Sequence, residues 1–191
     1  PRPRRLSTST DAFQLHPDIA SYGTTLRVLS YARNKLTGAI PDALFPRDSG
    51  LRRVDLSGNA LNGTRPDGLM GLTKVRVVNV SGNALSGAIP SEGDVDVRAM
   101  ASLTDFDASN NALVGAVPPS LAGLKHLRTL SLRGNKLTGT IPCDQLAHSR
   151  SLRTCSLLTC SLLIGVPLEL VSCRSHARRC HSECGCDDRS R

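Results

Sequence analysis

The chain has 191 residues, a formal net charge of +8 and a hydrophobic content of 39%, with aromatics at only 3% and no Trp. That length fits one compact unit, whose core must come from Leu, Val, Ile and Ala, and no stretch approaches the ~18 apolar residues of a membrane span. The most apolar run, residues 157–170, is interrupted by Thr159, Ser161, Pro167 and Glu169.

Residues 1–25 read as an irregular lead-in. Pro1 to Arg5 is basic and Pro-rich, and Ser7 to Thr10 is hydroxyl-rich. With no initiator Met, no apolar signal run and no amphipathic helical pattern, a fragment or processed chain is expected. The segment Pro17 to Leu26 aligns with the back half of a repeat such as Pro66 to Val75, while residues 1–16 offer no matching strand half. The expectation is an N-terminal edge capped irregularly or cut from a longer array, with truncation or a missing first exon product preferred, since an uncapped edge invites aggregation.

From residue 26 to 172 one pattern, L-x-x-L-x-L-x-x-N-x-L-x-G-x-I-P, returns six times, from Leu26, Leu51, Val75, Leu103, Leu127 and Leu152, at spacings of 24 to 28 residues. A unit this short cannot bury its own apolar side chains, so the units must stack. Numbering each unit from its first residue, Leu51, Val54 and Leu56 face the core while Arg52, Arg53, Asp55 and Ser57 face outward. That alternation predicts one short strand per unit, and parallel pairing at about 4.8 Å gives a curved sheet. Position 9 is Asn34, Asn59, Asn83, Asn111 and Asn135 in five units. An inward Asn can bond the backbone of adjacent turns, so these five are expected to be structural. The second half reads Gly38-Ala-Ile-Pro41, Gly87-Ala-Ile-Pro90, Gly115-Ala-Val-Pro118 and Gly139-Thr-Ile-Pro142, a turn that needs Gly's conformational range and Pro's fixed φ.

With these positions recurring together over three quarters of the chain, the sequence resembles the plant-type leucine-rich repeat family of receptor-like kinase and receptor-like protein ectodomains, polygalacturonase-inhibiting proteins and protist surface-antigen repeats. The resemblance implies an α/β solenoid, a right-handed leucine-rich-repeat superhelix with a short parallel β-sheet on the concave face and a mostly irregular or 3-10 convex side. It also implies a non-catalytic module that binds peptides, proteins or glycans on the concave side and edges. Some units depart from the pattern. Arg65 replaces the expected Ile, the return from Ser91 to Ser102 is lengthened and carries Glu92, Asp94 and Asp96, and unit six has Cys160 for Asn and a displaced Gly165.

Outward positions carry the charge. On the predicted concave face eight arginines (Arg27, Arg33, Arg52, Arg53, Arg76, Arg128, Arg133, Arg153) stand against Asp55, Asp105 and Asp107. Position 2 alone forms a column of Arg27, Arg52, Arg76, Thr104, Arg128 and Arg153. Guanidinium groups bind carboxylate, sulfate and phosphate, so an acidic or sulfated protein or peptide is an expected partner. The bland alternative is a solvated face whose Arg stems cover aliphatic surface. Candidate ligand-binding residues are Arg27, Arg52, Arg53, Asp55, Arg76, Asn79, Asp107, Arg128, Ser131 and Arg153. Nucleic acid is not expected, because no aromatics interleave the basic residues. Asp105 and Asp107 could in principle form an acid/base pair, but Arg76 and Arg128 on adjacent strands are expected to tie them into an ion network. No nucleophile elbow, zinc-protease or phosphate-loop motif occurs, so no enzyme, catalytic residue or cofactor is expected.

All seven cysteines fall in the last quarter: Cys143, Cys155, Cys160, Cys173, Cys180, Cys184 and Cys186. They suggest a disulfide-stapled cap over 173–191, with Cys173 and Cys180 resembling the family's capping pair and Cys155 and Cys160 packed in the core. A zinc site through Cys180, His181, Cys184 and Cys186 is the weaker alternative, because the paired knuckle spacing is missing, and no metal site is assigned. Two glycosylation triplets begin at Asn62 and Asn79, about what chance allows. The sequence thus reads as a 1–25 lead-in with a partial repeat, a 26–172 array and a 173–191 Cys-rich end. The expected role is an extracellular or cell-surface receptor fragment that binds a protein, peptide or anionic ligand, with any membrane tether belonging to a longer chain. The alternative is a cytoplasmic leucine-rich-repeat scaffold subunit of a larger assembly.

Overall fold

In the computed structural model, which describes residues 14–15, 25–64, 66–89, 100–139 and 151–156, every unit opens with a three-residue strand. These are β1 (Val28–Ser30), β3 (Arg53–Asp55), β5 (Val77–Asn79), β7 (Asp105–Asp107), β9 (Thr129–Ser131) and β11 (Thr154–Ser156). They pair in parallel in that order as one six-stranded sheet. The register is unbroken: Val28, Arg53, Val77, Asp105, Thr129 and Thr154 stand side by side.

Stacking in one register turns each repeat position into a column. Position 4 is a buried file of Leu29, Val54, Val78, Phe106, Leu130 and Cys155, so the Cys155 thiol fills a Leu slot as expected. Leu51, Val75, Leu103 and Leu127 make a second file, and Leu61, Leu85, Leu113 and Leu137 a third. Each fully buried aliphatic side chain contributes roughly 1.5–3 kcal/mol, which no unit could gather alone.

The position-9 asparagines form a spine between units. Asn135 is 5% exposed; its Oδ1 accepts from the Leu113 amide at 3.0 Å and its Nδ2 donates to the carbonyls of Ala108 and Leu132 at 2.9 and 2.8 Å. Asn111 does the same with Leu85, Val80 and Ala108, and Asn83 with Leu61, Leu56 and Val80. Asn59 serves Leu36, Tyr31 and Leu56. Among the described residues, the Asn34 side chain donates only within its own turn, to Tyr31 and Ala32.

One strand per unit undercounts the fold. Past each asparagine the chain forms a second strand: β2 (Thr37–Ala39), β4 (Ala60–Asn62), β6 (Ser86–Ala88), β8 (Ala112–Gly115) and β10 (Lys136–Leu137). β2 pairs with β4, and β8 lies between β6 and β10, all in parallel. Single bridges add Thr64 to Ser86 and Gln14 to Thr37. This lateral strip turns where Gly115 holds φ +80, and an added Cβ there would meet Ala88 Cβ at 3.3 Å. The return path uses a 3-10 turn at Asp42–Leu44, one α-turn at Asp67–Met70 and a 3-10 turn at Pro119–Gly123. The lead-in before Gln14, Arg65, the acidic residues Glu92, Asp94 and Asp96, Cys160, Gly165 and the 173–191 end lie outside the described residues.

Candidate recognition face

The position-2 column is held together by its backbone. The amides of Arg52, Arg76, Thr104, Arg128 and Arg153 each donate to the carbonyl of the preceding member, Arg27, Arg52, Arg76, Thr104 and Arg128, at 2.7–2.8 Å. The side chains are therefore spaced by the strand separation, about 4.8 Å. Arg27, Arg52, Arg76, Arg128 and Arg153 are all exposed. Arg27 donates from Nη1 to the Gly50 carbonyl at 3.1 Å. Thr104 breaks the run, its Oγ1 lying 2.7 Å from Asp105 Oδ2 and 2.9 Å from the Arg76 carbonyl.

Position 5 behaves differently from its outward direction. Asp55 is 8% exposed, closed over by its neighbours: Oδ2 takes an Arg53 Nη2 proton at 2.8 Å, and Oδ1 takes the Ser57 hydroxyl at 2.7 Å and the Ser57 amide at 3.3 Å. Burial alone would raise this carboxyl's pKa. The Ser57 hydroxyl, Arg53 and the Ser57 amide together hold it below its ordinary value. Asn79 Oδ1 accepts from the Ser81 amide and hydroxyl at 3.0 and 2.7 Å, and Asp107 Oδ1 accepts from the Ser109 amide at 3.0 Å. These side chains cap the turn leaving each strand. Ser131, next in that column, is half-buried.

The expected ion network around β7 does not form. Among the described residues, neither Arg76 nor Arg128 pairs with Asp105 or Asp107, and the ion pair on the sheet is Arg53 to Asp55 within β3. A strand spacing of about 4.8 Å lets each long Arg extend into solvent over the face, while Thr104 and Ser109 reach the aspartates first. Among the described residues no cluster of three His, Cys, Asp or Glu could hold a metal ion. None of their helices is long and apolar enough to cross a membrane. The cysteine–histidine zinc alternative falls outside the described residues.

Leucine-rich repeat family models match residues 14–85 and 126–144. Receptor-like protein 7 of Arabidopsis thaliana is 37% identical over 130 residues, covering 66% of this chain and 12% of that protein. The leucine-rich-repeat ectodomain of the Arabidopsis thaliana membrane receptor kinase GASSHO1/SCHENGEN3, solved with CASPARIAN STRIP INTEGRITY FACTOR 2, superposes with a TM-score of 0.68 at 30% identity, over 75% of this chain and 16% of that one. The chain belongs to the plant-type leucine-rich repeat family. The Arabidopsis receptor kinase HAESA, solved with the peptide hormone IDA and the co-receptor SERK1, gives a TM-score of 0.63 at 28% identity, covering 74% and 22% of the two chains. This leucine-rich-repeat chain spans 11–14% of the length of curated relatives it matches. The array is a leucine-rich-repeat scaffold.

Within it, the candidates divide. Arg27, Arg52, Arg76, Arg128 and Arg153 share one exposed column, Asp55, Asn79, Asp107 and Ser131 share the next outward one but point their polar atoms at local partners where bonds are seen, and Arg53 lies between as the lid of Asp55. The capping serines Ser57, Ser81 and Ser109 were not read from the sequence, although the recurring Asp/Asn-x-Ser triplets at positions 5 to 7 carry the signal.

Proposed function

We propose that this chain is the recognition part of a cell-surface receptor and binds an extended acidic peptide along its concave face. The observation that carries this is the backbone-locked column of exposed arginines at positions 27, 52, 76, 128 and 153. A peptide running across the strands presents side chains on one side every ~6.6–6.8 Å, so alternate carboxylates meet successive or next-nearest guanidiniums without reshaping the sheet. In this reading Arg27, Arg52, Arg76, Arg128 and Arg153 hold the peptide's anionic groups. Arg53, kept in place by Asp55, supplies a second row, and Asn79, Asp107 and Ser131 line its floor. HAESA, solved with the peptide hormone IDA, supports a peptide-binding role, and the acidic character comes from this chain's own column.

The test is titration of the purified chain with a fluorescent peptide of alternating Glu and Ser, and with its Gln–Ser analogue, at low and high salt. Binding of the Glu peptide at low salt that weakens at least tenfold on raising the salt, with the Gln peptide inert, is expected. Equal binding of the two peptides would remove the proposal.

A further inference from the structure

We infer that Asn62 carries an N-linked glycan and that Asn79, the chain's other Asn-x-Ser/Thr acceptor, stays bare. The inference rests on the cell-surface reading, because such transfer occurs on secreted chains. The two triplets, Asn62-Gly63-Thr64 and Asn79-Val80-Ser81, are equivalent as sequence and opposite as structure. Asn62 ends β4 on the lateral strip, exposed, and among the described residues its carboxamide makes no hydrogen bond. Its register partner is Ala39 and its other outward neighbour on the strand is Ala60, both exposed and too small to wall in a sugar. Gly63 (φ +77) and Thr64 follow it into solvent. Asn79 ends β5 inside the concave sheet, half-buried, with Asp55 and Asp107 on either side in register. Its Oδ1 already holds both the amide and the hydroxyl of Ser81, the residue that completes its own triplet. A branched sugar on that nitrogen would have to stand over the concave sheet, crowded by the neighbouring strands' side chains about 4.8 Å away on each side.

In the transfer, Asn62 Nδ2 bonds the anomeric carbon of a lipid-diphosphate-linked oligosaccharide. The sugar–phosphate bond breaks, the lipid diphosphate leaves with its electron pair, and the amide proton passes to a base of the transferase. The glycan would then cover the lateral strip and leave the arginine column open.

The experiment is secretion of the full chain behind a supplied leader peptide from cultured mammalian cells, with intact mass measured before and after peptide N-glycosidase. One glycan is expected on the wild type and on Asn79→Gln, and none on Asn62→Gln or Thr64→Ala, with circular dichroism confirming that all are folded. A glycan persisting in Asn62→Gln, one lost in Asn79→Gln, or a bare wild-type chain from cells that glycosylate a control protein would overturn the assignment. The peptide titration uses bacterially produced, unglycosylated chain, so each proposal fails on its own measurement.

Discussion

The concave sheet and the lateral strip are made by the same units from strands of similar length, yet their outward residues have little in common. Along the sheet they are Arg, Asp, Asn, Thr and Ser, with Val28 and Val77 among them; along the strip they are Thr37, Ala39, Ala60, Asn62, Ser86, Ala88, Ala112 and Val114, with Lys136 the only charge on its strands. Steric room accounts for the difference. On the strip each turning glycine packs on the residue before it in the stack, so that a Cβ at Gly63 would sit 3.2 Å from Ala39 Cβ and one at Gly139 would sit 3.3 Å from Ala116 Cβ. On the sheet, position 2 holds register through its backbone, and the side chains of Arg52, Arg76, Arg128 and Arg153 are exposed. The strip's outward residues are dictated by the fold, whereas the fold leaves the side chain at position 2 of the sheet open.

The contrast can be broken most severely from beneath, at the spine that positions both strips. Asn135→Ala strips one buried amide and two carbonyls of their partner and should cost roughly 3 kcal/mol or more in urea unfolding. Asn34→Ala, which loses bonds only inside its own exposed turn, should cost under about 1 kcal/mol, and equal losses would deny the spine its inter-unit role. On the strip, Gly115→Ala should destabilise by about 2 kcal/mol, since a Cβ both meets Ala88 at 3.3 Å and must accept φ +80. On the sheet, Asp55→Ala should cost about 1–2 kcal/mol through loss of the Arg53 and Ser57 bonds.

Asp55 also gives a pH signature. Its folded pKa lies below the ordinary 3.8, so its contribution is fully present above that value and is lost as pH falls through the lowered folded pKa. Wild-type stability should therefore fall more steeply below about pH 4 than that of Asp55→Ala, as read by chemical denaturation across pH 2–6. The mildest change should be Thr104→Arg, which completes the column. It should shift stability by less than about 1 kcal/mol, because the Thr104 backbone bonds remain, and tighten acidic-peptide binding a few-fold.

Much of the fold was legible because repetition removes ambiguity. A lone Val54-Asp55-Leu56 says little, but its return as Val78-Asn79-Val80 and Leu130-Ser131-Leu132 fixes which residues face inward. The asparagine spine followed from residue chemistry at a fixed position. The second strand was hidden because the Gly and Ala of Thr37-Gly-Ala39 and Ser86-Gly-Ala88 are poor strand formers and pair because neighbouring units hold them there. At the candidate site, the arginine column was readable from spacing, whereas the burial of Asp55 was not. An outward position on a strand does not mean a free side chain when residues 53 and 57 fold over it. Position 8 shows the same limit: it calls for left-handed backbone, which Gly58 and Gly82 adopt easily, but Arg33 and Asn110 adopt it too, at φ 56 and 53.

The central claim is that recognition belongs to the sheet and not to the strip, and triple substitutions to Glu on each surface test it most directly. Arg52, Arg76 and Arg128 would be changed together to Glu in one protein, and exposed Thr37, Ala60 and Lys136 together to Glu in another, with both titrated against the alternating Glu–Ser peptide at low salt. The account predicts a loss of about a hundredfold or more, ~2.7 kcal/mol, for the sheet variant and less than about threefold for the strip variant. Unchanged binding by the sheet variant, or an equal loss in both, would contradict it.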